Sequence, residues 1–350
     1  MQPDWASLLI KTGAVLGDHG VLHFGDPERE LRIATRGDIQ CDLSQQGLIA
    51  ASGPDTPAFL QGQVTSDVRQ LTPPHSQLSA YCSPKGRMLA IFRLFRRGDS
   101  YYLRMPRERI EPLLKRLRLF VLRAKTTLED VSDQLVRIGL AGPHAAALLE
   151  DALGMAPAQV DAVVQTKEIT AIRLPGPQPR FELHGELQDI SALWNAFLGR
   201  TTPVGAEPWH LLDILAGIPT VYTETTEAFV PQMTNLQLIN GVSFRKGCYT
   251  GQEIVARTQH LGRLKRRMYL AQVDSATRPH PGEELFSPQT GTSQSAGKIV
   301  AACRHPEGGY AVLAVVAIDC AEDGRVLLGD ATGAALNFAP LPYAFTDNTA

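Results

Sequence analysis

One stretch concentrates the residues able to do chemistry: Gly241-Val-Ser-Phe-Arg-Lys-Gly-Cys-Tyr-Thr-Gly-Gln-Glu-Ile-Val-Ala-Arg257. It sets Cys248 between a Lys-Gly pair and what reads as the start of a helix. Thr250 and Glu253 stand in Ser/Thr-x-x-Glu order, the capping-box spacing, ahead of the apolar pair Ile254 and Val255. Gly247 and Gly251 permit tight turns on both sides of the thiol. A cysteine just before a helix N-terminus, with Arg245 and Lys246 close in sequence, sits where a thiolate is favoured. The opposing reading is that free cysteines are usually small buried hydrophobes, and that Glu253 is only a cap. Spacing alone leaves both open.

Several elements must position this stretch. Gln77 to Cys82 and Arg87 to Arg96 read as the arms of a hairpin whose turn is Ser83-Pro-Lys-Gly86. Ser100 to Met105 is a further strand. Pro106 then opens a helix with Ile110, Leu113, Leu114, Leu117 and Val121 at helical spacing. Upstream, Val21 to Phe24 and Gly47 to Ala51 read as strands, and Thr56 to Leu60 as a short helix capped by Thr56 with Pro57 at its first position. A second α+β stretch runs from about Thr127 to Pro231. It has strands at Leu135 to Leu140, Ile169 to Leu174 and Phe181 to His184, and helices up to Leu153 and from Asp189 to Leu198. His144 and His184 fall at element edges and read as surface or cap residues. From Arg267 to Phe345, short β-like runs broken by Gly, Pro and Asp turns point to a small all-β barrel or sandwich. Gly262, Arg263, Lys265, Arg266 and Arg267 mark the junction, as a solvated hinge or as a clamp for an anionic ligand.

Composition narrows the classes of function. The chain has 350 residues, 44% hydrophobic and 20% charged, with a net charge of −2. That is room for two or three packed units at about 100–200 residues each, with no bulk attraction to nucleic acid or membrane. Charge is uneven, however: Lys85 to Lys125 holds thirteen Lys/Arg against Asp99, Glu108 and Glu111. The segment is either a surface for phosphates or another polyanion, nucleic acid included, or an Arg-rich helix and hairpin, and no usual aromatic stacking platform accompanies it in the sequence. Cys41, Cys82, Cys248, Cys303 and Cys320 are odd in number and scattered, so neither a disulfide framework nor a metal site is expected. No apolar run approaches the roughly 18 residues of a membrane span. The expectation is a reduced, cytoplasmic protein without a membrane partner.

Phe229-Val-Pro-Gln-Met-Thr-Asn-Leu236, followed by Gly241-Val-Ser-Phe and Lys246-Gly-Cys-Tyr-Thr-Gly-Gln-Glu253, resembles the YgfZ family of folate-binding proteins. That family is related to the glycine-cleavage aminomethyltransferase, the T-protein. Phe59-Leu-Gln-Gly-Gln-Val-Thr-Ser-Asp67, Cys82-Ser-Pro-Lys-Gly-Arg87 and Ala216-Gly-Ile-Pro219 resemble the family's other blocks, so the likeness spans about residues 45 to 270. The resemblance implies an α+β fold of three domains in an aminomethyltransferase-like ring around a tetrahydrofolate pocket. The corresponding segments are 1–50 with 127–260, carrying the cysteine block, then 51–126, then a C-terminal β-barrel at 265–345. It further implies that Cys248 is the signature thiol. Lys246, Tyr249, Gln252 and Glu253 would shape its surroundings, and Gln232 and Asn235 would face the folate. Arg257 joins this cofactor-binding set. A pterin's amide-like edges suit Gln, Asn and Glu, and its glutamyl tail suits Lys or Arg; Gln232 and Asn235 also read simply as loop residues satisfying their own backbone.

The implied function is support for assembly or repair of iron–sulfur clusters in client enzymes, tRNA-thiolating ones included. Aminomethyltransferases carry paired aspartates after a Gly-Gly turn on the hairpin. Here that place reads Lys85-Gly86-Arg87-Met88-Leu89-Ala90, so the carboxylate for acid–base work is missing and glycine cleavage is not expected. The alternatives are a folate-dependent one-carbon transferase with another substrate, and a tRNA-modification factor that binds tRNA directly through Lys85 to Lys125.

Overall fold

A computed structural model describes residues 1–260, 264–290 and 295–345. Gly262 and Arg263 of the junction cluster lie outside them. The chain divides into two compact units, each assembled from separated stretches: 1–56, 69–77 and 93–212 in one, and 57–68, 78–92 and 213–350 in the other.

The first unit is built on a six-stranded sheet. Its order is Val163–Gln165, Thr170–Leu174, Arg180–Gly185, Val136–Ala141, Ile39–Asp42, Thr202–Val204. All neighbours are antiparallel except the last pair, which is parallel. The central strands Val136–Ala141 and Arg180–Gly185 are buried along their whole length, which calls for cover on both faces. On one face, helices Pro3–Lys11, Ala145–Leu153 and Leu187–Phe197 close a core around Trp5, Leu149, Phe181 and Trp194. Trp5 meets Trp194 edge-on at 5.5 Å and donates its indole N–H to Asp42 at 2.8 Å. On the other face, Leu48 and Phe95 of a second sheet join Ile39, Cys41, Ile172 and Trp209. Gly139 is required there, because a Cβ would stand 2.4 Å from the Trp209 ring.

The second sheet has the order Gln77–Cys82, Met88–Arg97, Ser100–Pro106, Gln46–Ser52, Thr127–Asp130. The hairpin thus lies where the apolar pattern puts it. The helix expected from Pro106 begins later, at Ile110–Val121, after a 3-10 turn over Arg107–Arg109. It turns Ile110, Leu113, Leu114 and Leu117 inward. His144 caps Ala145–Leu153 and is bound to Asp38, as its edge position suggests. His184 departs from its surface reading. It is fully buried, 3.0 Å from Glu182 and 4.7 Å from the Phe95 ring, because Arg180–Gly185 is a central strand with no solvent face.

In the second unit, the C-terminal residues form the expected all-β region, as a curled, six-stranded antiparallel sheet. Its order is Leu327–Leu328, Glu284–Phe286, Gly297–Arg304, Tyr310–Ala317, Arg266–Val273, Leu336–Ala339. The alternating apolar residues Ala271, Val273, Ile299, Val312, Ala314 and Val316 pack into one buried core. Of the junction cations, Arg266 donates to the Ser295 carbonyl and Arg267 lies over the Phe345 ring at 4.4 Å. No described helix is long and apolar enough to cross a membrane.

Candidate functional site

The cysteine block lies in the second unit, as a loop leading into the helix Gln252–His260. Four of the five cysteines are buried; Cys248 is exposed. Its loop is nevertheless firmly anchored. The Lys246 ammonium points inward and donates to three carbonyls, Gln61 at 2.8 Å, Val64 at 2.5 Å and Ser66 at 2.8 Å. The same group stands 5.0 Å from the centre of the Tyr249 ring. Both residues are buried, Lys246 at 6% exposure and Tyr249 at 7%. A charged donor satisfying three buried acceptors, with an aromatic face beside it, is a strong fastening.

The turn Ser83 to Gly86 approaches the helix start. Gly251 has φ +82, and a Cβ on it would fall 2.4 Å from the Ser83 carbonyl, so only glycine fits this approach. Gly247 differs: a Cβ there would meet open space, and it is not among the glycines with positive φ. The expected Thr250–Glu253 box is also replaced. The helix begins at Gln252, whose side-chain oxygen accepts from the Tyr249 amide at 3.2 Å, and Glu253 pairs with Arg257 at 2.9 Å. That ion pair is exposed on both sides, 62% and 81%, and such pairs contribute little.

Gln232 and Asn235 sit in and after the 3-10 turn Pro231–Thr234 and are almost wholly buried. Asn235 takes the left-handed conformation, φ 60, that ends this turn, and donates to the Met268 carbonyl at 2.8 Å. Its amide is therefore engaged with backbone. Gln232 donates to the Val255 carbonyl at 2.6 Å, but its own side-chain oxygen is buried with no hydrogen-bond partner among the described residues. The Ser83 hydroxyl is in the same condition. Buried acceptors are rarely left so.

Thr65 was not singled out by sequence reasoning, although it stands in the Phe59 to Asp67 block. Its hydroxyl donates to the Gly241 carbonyl at 2.6 Å and accepts from the Ala80 amide at 2.8 Å. It thereby ties the start of the cysteine block to the hairpin. Cys82, at the hairpin's end, is a different kind of thiol from Cys248: burial pushes it up to about 12. Burial, with Cys82 nearby, also raises the Tyr249 phenol, so both stay protonated at neutral pH. Met88, Leu89 and Ala90, at the position where aspartates were sought, are buried apolar strand residues. Among the described residues, no three His, Cys, Asp or Glu side chains gather where a metal ion could be held.

The GCVT N-terminal domain family matches residues 24–244. The glycine cleavage system aminomethyltransferase T from Bartonella henselae has a crystal structure similar to this one, with a TM-score of 0.77 over 98% of this chain and 97% of that one. The identity is 18%, so the likeness is one of fold. Together these define the class as an α+β protein with the aminomethyltransferase-like fold. The tRNA-modifying protein YgfZ of Colwellia psychrerythraea is 35% identical over 279 residues, covering 79% of this chain and 85% of that protein. That of Yersinia enterocolitica is 32% identical over 306 residues, covering 87% and 92%. The chain belongs to the YgfZ family.

Proposed function

We propose that this protein binds tetrahydrofolate or a derivative and serves tRNA modification through Cys248. Its clients would be iron–sulfur enzymes, among them those that thiolate tRNA. The observation that carries the reading is an exposed thiol on a loop fastened from below by Lys246. A side chain meant only for packing needs no such presentation. One thiolate cannot hold a cluster alone, so Cys248 acts as a transient or shared ligand or nucleophile.

Folate fits part of the residue set. The unpaired Gln232 oxygen is an acceptor for the N–H edge of a pterin, and the Ser83 hydroxyl is a second polar group without a partner. Lys246 and Arg257 already hold protein partners. Lys246 therefore serves the folate region by holding the loop, and Asn235 by fixing the turn that carries Gln232. A one-carbon transferase remains a less favoured reading, since no carboxylate stands on the hairpin at Met88 to Ala90.

Calorimetric titration with tetrahydrofolate tests the binding half. Gln232→Leu should weaken it by about tenfold, the worth of one buried polar pair. Cys248→Ala should bind folate like the parent and keep its thermal midpoint, yet fail to restore tRNA thiolation in cells lacking the protein. Full restoration by Cys248→Ala would remove the thiol from the mechanism.

A further inference from the structure

Of the thirteen cations between Lys85 and Lys125, the eleven from Arg93 onward separate into two groups once their contacts are followed. In the first unit, Arg93 bonds Ser76 and Asp161, Arg104 bonds Glu182, and Arg107 bonds Asp133. Arg97 donates to the carbonyls of Glu168 and His184, and Arg118 to that of Leu128. Arg109 is buried, and Arg96 lies over the Tyr101 ring. Most of the basic segment is therefore spent on the fold.

Lys115, Arg116, Arg123 and Lys125 are different. All four are exposed, and they make no ion pair among the described residues. The nearby acids make no ion pair with them: Glu111 stands exposed one helical turn before Lys115, Asp55 accepts from the Lys125 backbone N–H at 2.7 Å, and Glu129 and Asp130 are exposed on the strand Thr127–Asp130. Within this group, at the end of the helix Ile110–Val121, three large apolar side chains face solvent: Leu119 at 67%, Phe120 at 47% and Leu122 at 86%. Phe120 follows Arg116, and Leu119 follows Lys115, by one helical turn, so each apolar residue neighbours a cation. Leu122 ends the helix at φ 45 and ψ −105, a conformation a leucine rarely adopts.

We propose that this helix end is a contact surface for unpaired RNA, with Phe120 offering its ring to a base and the four cations meeting phosphates. Leu119 and Leu122 would flank the stacked base. An aromatic ring set among cations held in no ion pair is how proteins take splayed bases without reading their sequence. A duplex would use the cations and leave the ring idle. A lipid surface asks for a longer apolar face than the four residues Leu119 to Leu122. The choice of RNA over other polyanions rests on the proposed role in tRNA modification; the surface itself owes nothing to Cys248.

The test is fluorescence anisotropy of an unmodified tRNA transcript with the full chain, at several salt concentrations. Four phosphate contacts predict that log K falls against log salt with a slope of about −3. Phe120→Ala should weaken binding at least about fivefold, the lower end for one stacked base, and Phe120→Tyr should restore it. Replacing Lys115, Arg116, Arg123 and Lys125 together by alanine should abolish most of the salt dependence. Cys248→Ala should bind like the parent, which separates this surface from the thiol's role. The proposal is overturned if the parent protein does not bind the transcript, or if the Phe120→Ala and four-cation variants bind it undiminished. It is equally overturned if the surface instead retains phosphatidylglycerol vesicles.

Discussion

Lys246 shows how far a residue's type can mislead about its task. A lysine beside a reactive-looking cysteine suggests a ligand for an anion or a partner for the thiolate. Its ammonium is instead buried among three carbonyls, and what it controls is where Cys248 stands. Lys246→Met would leave those carbonyls without their charged donor. It should cost about 3 kcal/mol of stability, measured by denaturant unfolding. Lys246→Arg should not rescue it, because a planar guanidinium cannot meet three acceptors arranged around one nitrogen. Wild-type stability in either variant would contradict this account. The thiols supply a second prediction at this scale. Alkylation of the native protein should add one label, at Cys248, because the other four cysteines are buried and Cys82 is pushed up to about 12. Mass spectrometry counts the labels, and a second rapid adduct would contradict the burial. The tight turn at Gly251 and the helix that follows Cys248 were legible in the block. The orphaned oxygen of Gln232 was not, since a sequence does not say which buried groups find partners.

Among the elements, the strands and hairpins followed their apolar patterns closely. The strand Gln77–Cys82 has the bounds its apolar pattern predicts, and Ser100–Pro106 and Thr170–Leu174 differ from theirs by one residue. His184 escaped because its neighbours alternate no more than those of an edge strand, and only the sheet order shows it to be central. Its burial has a consequence for pH. Burial lowers the His184 imidazole below its ordinary value, with Glu182 opposing. Burial alone would raise the Glu182 carboxyl, but Arg104 at 2.8 Å and His184 hold it below the ordinary range. The unfolded chain takes up the histidine proton at about 6.5 and a carboxylate proton at about 4.3. The folded chain takes up each only at lower pH, so protons favour unfolding as pH drops through these values. Thermal midpoints should therefore begin to fall below about pH 6.5 and fall further below about 4. His184→Gln should flatten the first part of that decline. A variant that declines in parallel with the parent would show that another group carries it.

For the whole molecule, a shared fold does not carry an activity with it. The chain shares the aminomethyltransferase-like fold with the Bartonella henselae T-protein along almost its full length. Yet it presents Met88, Leu89 and Ala90 where acid–base catalysis would need a carboxylate. Purified protein given tetrahydrofolate and an aminomethylated carrier protein should show no transfer above background, and measurable turnover would revive the transferase reading. That a compact part of the chain is built from separated stretches follows from the family resemblance, which joins 1–50 with 127–260, and not from local pattern. Each compact unit is assembled from separated stretches, and local periodicity carries no record of such long-range assembly. The central claim is that the thiol and the folate region form one working site. It is tested most directly by the rate of Cys248 alkylation against pH, with and without saturating tetrahydrofolate. The account predicts that folate changes the rate profile of this one thiol and leaves the buried cysteines unreactive. Superimposable profiles, with folate binding verified in the same samples, would contradict it.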